Sequence, residues 1–189
     1  GLHLHTTLAV ATNGLPLGVL RAQCQAPKLK SAADKRPSWA IPIEEKETFC
    51  WIEGLRDMMD LAAQMPQTRL IAVCDREADF FELFEEQRSN PGVDLLVRAN
   101  HNRTVSDEPY KLFEAIRQAP LRTKVQVHVP RQSARPKLSK KQARPKRPSR
   151  QANLEVRYQQ IPLLPPKYYS DKYRIDVWVL HAVETAPPE

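Results

Sequence analysis

Acidic residues that directly follow a short apolar run are the part of this sequence best suited to chemistry. The run ends at Cys74, and Asp75, Glu77 and Asp79 come next. Carboxylate oxygens are ligands that Mg²⁺ and Mn²⁺ prefer, usually combined with water and phosphate oxygens. An acid at the carboxyl end of a buried strand also stands where α/β sheets present ligand-binding groups. Asp75 is therefore a candidate metal ligand.

The same acids have an ordinary structural explanation. An Asp between a strand and a helix commonly caps the helix by accepting hydrogen bonds from its first amides. Glu77 and Asp79, in the first turn of a helix, would be stabilised by the helix dipole without any metal. Arg76 fits a DNA phosphate contact and a surface contact equally well. Residue types and spacing alone leave capping and metal binding of Asp75 both open.

A hairpin and a helix are predicted before the acidic residues. Residues 2–10 and 15–20 are rich in β-compatible side chains, and Asn13-Gly14 between them is a strong turn signal. Residues 47–64 carry apolar side chains at helical spacing, with polar residues between them. The pattern predicts two antiparallel strands followed by an amphipathic helix.

The acidic residues themselves lie between two predicted strands. The apolar runs at 69–74 and 93–97 are continuous, which is typical of strands buried on both faces. A helical pattern separates them, so the two strands are predicted to be parallel neighbours. Since the carboxyl ends of parallel strands lie at the same edge of a sheet, Arg98 and His101 should lie near Asp75. The fold class is therefore α/β, with a mixed sheet and helices.

The pattern changes in the second half of the chain. Residues 125–129, 154–158 and 175–179 alternate between apolar and polar side chains, which is typical of half-exposed antiparallel strands. We therefore predict one α/β part over residues 1–103 and a smaller β-rich part over residues 104–189.

The positive charge is concentrated in one segment, residues 131–150, which holds nine Lys and Arg and no acid. Because the whole chain carries +7, the remainder sums to −2. Alone, such a segment is a solvated loop; in a DNA enzyme it would neutralise phosphates. It contains no aromatic residue, and Trp39, Trp51 and Trp178 are interpreted as packing residues. The predicted phosphate-binding side chains are those of Arg131, Arg135, Lys137, Lys140, Lys141, Arg144, Lys146, Arg147 and Arg150.

Composition excludes several classes of protein. The chain has 189 residues, 41% of them hydrophobic, and no apolar run long enough to span a membrane. Its three cysteines are widely spaced without a Cys-x-x-Cys pair, which argues against a zinc site or a disulfide framework. The start lacks Met and the pattern of a signal peptide, so we expect an internal fragment of a cytoplasmic protein.

Two strings resemble the DDE transposases of bacterial insertion sequences, specifically the insertion-sequence-four, Tn-five-like type with its Tyr-Arg-Glu-Lys signature. They are Ile-Ala-Val-Cys-Asp-Arg-Glu-Ala-Asp at 71–79 and Leu-Val-Arg-Ala-Asn-His at 96–101. The first string is highly specific, and the rest of the chain is similar in order and character. The resemblance implies a partial ribonuclease H-like core over residues 1–103, interrupted by an inserted β-rich subdomain over residues 104–189.

The resemblance also implies a chemistry. Asp75 corresponds to the second of three acids that hold two Mg²⁺ or Mn²⁺ ions, and Arg76, Arg98 and His101 would contact DNA. The family cuts and rejoins DNA at terminal inverted repeats and at a target, as a homodimer on double-stranded DNA in the bacterial cytoplasm. The first and third acids would lie before Gly1 and after Glu189, so this chain alone should be inactive. The alternatives are a non-catalytic nucleic-acid-binding module and another ribonuclease H-like, metal-dependent nuclease.

Overall fold

A computed structural model describes residues 2–26, 36–105, 111–134, 145–169 and 173–187. It is a mixed α/β structure with three small sheets and three α-helices among these residues. In the same ranges, none of the helices combines the length and the apolar character that crossing a membrane requires.

The chain divides into two compact units. The first contains Gly1–His101 and Pro165–Lys172, and the second contains Asn102–Leu164 and Tyr173–Glu189. The sequence predicts a boundary between the two parts after residue 103. In the structure, the boundary follows His101, two residues earlier. The short segment that belongs to the first unit, although it lies late in the chain, has no counterpart in the sequence prediction.

The first unit opens with the predicted hairpin. Strands β1 (His3–Val10) and β2 (Pro16–Gln25) pair antiparallel. Gly14 adopts a φ of 87°, a backbone conformation that side chains with a Cβ rarely adopt. The side chain of Asn13 accepts a hydrogen bond from the amide of Leu15 at 3.0 Å and stabilises the turn.

The remainder of the first unit follows the predicted order of helix, strand, helix and strand. Its elements are α1 (Phe49–Gln64), β3 (Ile71–Cys74), α2 (Phe81–Ser89) and β4 (Asp94–Val97). Strands β3 and β4 pair in parallel, as predicted.

The core of the first unit lies where α1 and α2 meet the β3–β4 pair. Ile52 and Leu55 of α1 and Leu83 of α2 pack with Ala72 of β3 and Val93, all of them buried. These positions on α1 are three residues apart and share one face of the helix, as the periodicity predicts.

The prediction that both parallel strands are buried on both faces is wrong. Ile71, Val73 and Leu96 are 51%, 73% and 57% exposed, and the strand register places them on one face. Helices α1 and α2 cover only the opposite face, which carries Ala72 and Leu95. Apolar residues on both faces of a strand indicate surfaces suited to burial; they do not identify what covers each one.

The prediction that all three tryptophans are packing residues is correct only for Trp51. Its ring is partly buried and contacts His5 edge-on, with ring centroids 4.4 Å apart. Trp39 and Trp178 are 60% and 69% exposed.

The second unit is a three-stranded antiparallel sheet with one helix. Strand order is β5 (Leu121–Val129), β6 (Arg150–Leu163), β7 (Ile175–Glu184), and α3 (Leu112–Gln118) packs against β6 and β7. The three predicted alternating strands are therefore confirmed, although each is longer than its pattern suggests. The basic segment connects β5 to β6.

Candidate functional site

Asp75 lies immediately after β3, where the parallel strand ends. Its backbone is extended, and it caps the short 3₁₀ turn Arg76–Ala78 through Oδ1, which accepts a hydrogen bond from the amide of Glu77 at 2.9 Å. The side chain is exposed, and Oδ2 has no hydrogen-bond partner among the described residues. The capping interpretation is thus confirmed, and one carboxylate oxygen remains available to a ligand.

The end of β4 lies beside the end of β3, as the parallel register requires. The amide of Arg98 donates to the carbonyl oxygen of Cys74 at 3.1 Å, so Arg98 directly neighbours the residue before Asp75. The Arg98 side chain is exposed. The backbone of Arg98 therefore lies next to the end of β3, where Asp75 follows, as predicted.

Asp79 is the residue of this region that sequence reasoning assigned wrongly. Its carboxylate is 5% exposed, and Oδ2 accepts hydrogen bonds from the amides of Asn100 and His101 at 2.6 and 2.8 Å. It therefore fixes the segment after β4 against the segment after β3, instead of stabilising a helix dipole. The available signal was its position between Ala78 and Phe80, because an acid among apolar residues is tolerated only when it is hydrogen-bonded.

A cavity of about 540 Å³ lies in the first unit beside these strand ends. Its wall brings together Arg76, Glu77 and His101 with His5 of β1 and Trp51 of α1. Two of the predicted DNA-contacting side chains, those of Arg76 and His101, therefore share one wall. Asp75 and Arg98 do not line it.

His5 is a half-buried imidazole in the wall of this cavity. Burial lowers its pKa, and the charge of Arg21 lowers it further, whereas the carboxylates of Glu77 and Asp75 oppose the shift. Its Nδ1 is buried and has no hydrogen-bond partner within the described part of the chain. His5 also packs against Trp51, which its ring meets edge-on.

Metal binding at this site has one candidate ligand. Within the described ranges, no three His, Cys, Asp or Glu side chains form a group that could hold a metal ion. The free oxygen of Asp75 fits one position around a hard cation such as Mg²⁺. The described residues therefore do not form a complete binding site for one metal ion or for two.

The reactivity of the Cys74 thiol reports on the environment at the end of β3. Burial raises the pKa of its thiol to about 11, and the charge of Asp75 adds to the shift. Because the thiolate is the reactive form, alkylation of Cys74 at neutral pH should be on the order of a hundredfold slower than that of an ordinary thiol. Iodoacetamide labelling followed by mass spectrometry should modify the exposed Cys24 first. Asp75→Asn should accelerate the labelling of Cys74, and equal rates at Cys24 and Cys74 would contradict this arrangement.

The basic segment is described only at its two ends. Arg131, Lys146 and Arg147 are exposed, and Gln132 pairs with Arg147 through two backbone hydrogen bonds of 2.9 and 3.0 Å. Arg150 is held by Glu184 in a two-point ion pair, one contact of which measures 2.8 Å, so its charge is already matched by an acid. The predicted phosphate-binding residues that lie outside the described residues are Arg135, Lys137, Lys140, Lys141 and Arg144.

No known protein family model matches this chain. The resemblance to insertion-sequence transposases is therefore carried by the strings at 71–79 and 96–101, together with the order of the elements around them.

Proposed function

We propose that this chain is an internal part of a DDE transposase, in which Asp75 binds a divalent cation for DNA strand cleavage and strand transfer. The observation that carries the proposal is the exposed Asp75 carboxylate at the carboxyl end of a parallel strand, with one oxygen that accepts no hydrogen bond from the described residues. Parallel α/β sheets present ligand-binding groups at this position.

The proposal assigns the first unit to part of a ribonuclease H-like core. Its β1–β2 hairpin, α1 and parallel β3–β4 pair occur in the order that the resemblance implies. The second unit would be the inserted β-rich subdomain. Two further carboxylates are required, and the resemblance places them before Gly1 and after Glu189.

The residues around Asp75 would position DNA. Two Mg²⁺ or Mn²⁺ ions, when bound by all three acids, would activate the attacking oxygen and stabilise the leaving one. The side chains of Arg76 and Arg98 are exposed cations that follow the ends of β3 and β4. They would hold the phosphate backbone of the DNA end by charge-assisted hydrogen bonds. His101, on the cavity wall, would contact the same DNA end.

The basic segment should make binding of duplex DNA strongly dependent on salt. Each neutralised phosphate releases condensed counterions, so four contacts would weaken affinity on the order of a hundredfold between about 50 and 200 mM salt. Fluorescence anisotropy with a labelled duplex measures this dependence directly.

Two sets of variants distinguish the contribution of the basic segment to DNA binding from that of the rest of the surface. Combining Arg131→Gln, Lys146→Gln and Arg147→Gln should reduce the salt slope by about 0.9 for each phosphate that is no longer neutralised. Arg69→Gln, at an exposed residue of the first unit, should leave the slope unchanged. A flat salt response of the unmodified chain would contradict phosphate neutralisation.

A non-catalytic nucleic-acid-binding module is the second candidate function. It is favoured by the hydrogen bond from the Glu77 amide, which gives Asp75 a structural role without any metal. The two candidates differ in what the replacement of Asp75 does to strand cleavage. Another ribonuclease H-like nuclease would cleave DNA but would not join the cut end to a target.

A further inference from the structure

Strand β7, at one side of the second unit's sheet, has an open edge. The strand order is β5-β6-β7, so β6 is the only strand that pairs with β7 within the described ranges. Strand β7 is ten residues long and contains no Lys, Arg or Pro. Natural sheets usually protect a long edge strand with such residues, because an unprotected edge pairs readily with another strand. The composition of β7 therefore favours a role in strand pairing.

The outward backbone groups of β7 are identified by a hydrogen bond just beyond its end. The amide of Thr185 donates to the carbonyl oxygen of Asn153 in β6 at 3.0 Å, so the backbone groups of Thr185 face β6. Along an antiparallel strand, successive residues direct these groups alternately to one side and to the other. The residues of β7 whose amides and carbonyls point away from β6 are therefore Asp176, Trp178, Leu180 and Ala182. No described segment outside β6 forms backbone hydrogen bonds with them.

The middle of this edge is apolar and exposed. Trp178 and Leu180 are 69% and 63% exposed. The two acids of β7, Asp176 and Glu184, lie near the ends of the strand. The open edge thus combines unpaired backbone groups with large apolar side chains that a further strand would cover.

A second copy of β7 is complementary to this edge in the antiparallel direction. With Val179 opposite Val179 of the other copy, Trp178 of each copy lies opposite Leu180 of the other. These four side chains form one apolar block on one face of the sheet, and such cross-strand pairs stabilise a sheet. Asp176 lies opposite Ala182 and does not face another acid. Because this register pairs the outward residues with one another, it forms about eight backbone hydrogen bonds.

The antiparallel direction also separates the positive charges of the two copies. The basic segment leaves the sheet at Val129 and rejoins it at Arg150, which forms an ion pair with Glu184 near one end of β7. In the symmetric pairing, the two Glu184 residues lie about 33 Å apart, because about ten residues of strand separate them. The Debye length is about 8 Å at physiological ionic strength, so repulsion between these strand ends is screened. A parallel pairing would place them side by side.

We propose that the open edge of β7 binds a second copy of this chain, in an antiparallel pairing centred on Val179 that joins the sheets of the two copies. The pairing needs neither DNA nor Asp75, so it does not rest on the proposed function. It assigns a partner to the outward backbone groups of β7 and to the exposed side chains of Trp178 and Leu180.

Sedimentation velocity of the chain without DNA tests the pairing. Since dimerisation obeys mass action, the sedimentation coefficient should rise between about 1 and 100 µM. Leu180→Pro should raise the dimer dissociation constant at least about tenfold, because it removes an amide that points at the partner. The fold of one copy should be retained, since an edge strand tolerates proline where the amide faces outward.

The matched control introduces proline at the other edge of the sheet. By the same alternation, the amide of His128, which pairs with Gln151, points outward from β5. His128→Pro should therefore dimerise like the unmodified chain.

Cysteine crosslinking tests the register. Across the proposed interface, Val179 lies opposite its own copy in a non-hydrogen-bonded pair, with Cα atoms about 4.5 Å apart, a separation that a disulfide spans. Val177 lies roughly 13 Å from its own copy, beyond the reach of a disulfide. The exposed Cys24 is first replaced by serine. Oxidation should then crosslink Val179→Cys into a covalent dimer on a non-reducing gel and leave Val177→Cys monomeric.

Three results would overturn the proposal. The unmodified chain could remain monomeric up to about 100 µM, Leu180→Pro could dimerise as tightly as the unmodified chain, or the two cysteine variants could crosslink equally. Circular dichroism distinguishes a lost interface from a lost fold in Leu180→Pro. If that variant is unfolded, Leu180→Lys takes its place, because it keeps the backbone and puts a charge opposite Trp178 of the second copy. Dimerisation of Leu180→Lys as tight as that of the unmodified chain would equally contradict the pairing.

Discussion

Replacing Asp75 by alanine is expected to reduce DNA strand cleavage by at least about a thousandfold, in a protein that carries this chain together with the other two acids. A catalytic metal supplies several kcal/mol of transition-state stabilisation, and each 1.36 kcal/mol corresponds to about tenfold in rate. Binding of the DNA ends should be nearly unchanged, because the phosphate contacts come from cationic side chains. Cleavage of a labelled terminal-repeat substrate and a gel-shift assay measure the two quantities.

The matched control for this experiment is Asp60→Asn. Asp60 is an exposed acid on α1 and does not line the cavity beside the ends of β3 and β4. Its replacement should leave both cleavage and end binding within about twofold, since surface substitutions rarely have larger effects. If Asp75→Ala retained cleavage, Asp75 would be only a capping residue, and the nucleic-acid-binding module would become the better description.

The second large effect is expected on stability, at Asp79. Asp79→Ala should lower the free energy of unfolding of the first unit by about 3 kcal/mol, because it leaves the amides of Asn100 and His101 without their acceptor. Asp79→Asn keeps one carbonyl oxygen in place and should cost about 1 kcal/mol.

Unfolding of the first unit can be followed separately from that of the second. In a background with Trp39→Phe and Trp178→Phe, Trp51 of α1 is the remaining tryptophan. Urea titration of its fluorescence would then report on the unit that contains Asp79. Asp60→Ala is the surface control and should change the free energy of unfolding by less than about 0.5 kcal/mol. An equally small effect of Asp79→Ala would show that its two hydrogen bonds do not anchor the segment after β4.

The elements of the fold were largely predictable because their signals are local. Asn13-Gly14 predicts the first hairpin, and the helical spacing of Ile52 and Leu55 predicts the buried face of α1. The exposure of Ile71 and Val73 was not predictable, because apolar content describes a strand's own surface and not the elements that cover it. The return of residues 165–172 to the first unit is likewise a non-local property.

The candidate site was predictable in position and only partly in its interactions. The end of an apolar run located Asp75, and parallel pairing located Arg98 beside Cys74. The partners of Asp79 lie 21 and 22 residues further along the chain, so no local pattern could assign them. For the same reason, sequence alternation indicated that the strand bearing Trp178 is half-exposed but did not reveal that Trp178 itself is 69% exposed.

Metal-dependent rescue of Asp75→Cys tests the central claim most directly. A thiolate is a soft ligand that binds Mn²⁺ better than Mg²⁺, so it can replace a carboxylate in the presence of the first ion only. In the protein with all three acids, under reducing conditions, we predict that Asp75→Cys is inactive with Mg²⁺ and regains measurable strand cleavage with Mn²⁺, whereas Asp75→Ala is inactive with both. Equal activity of the Cys and Ala variants with the two ions would contradict a metal-binding role for Asp75.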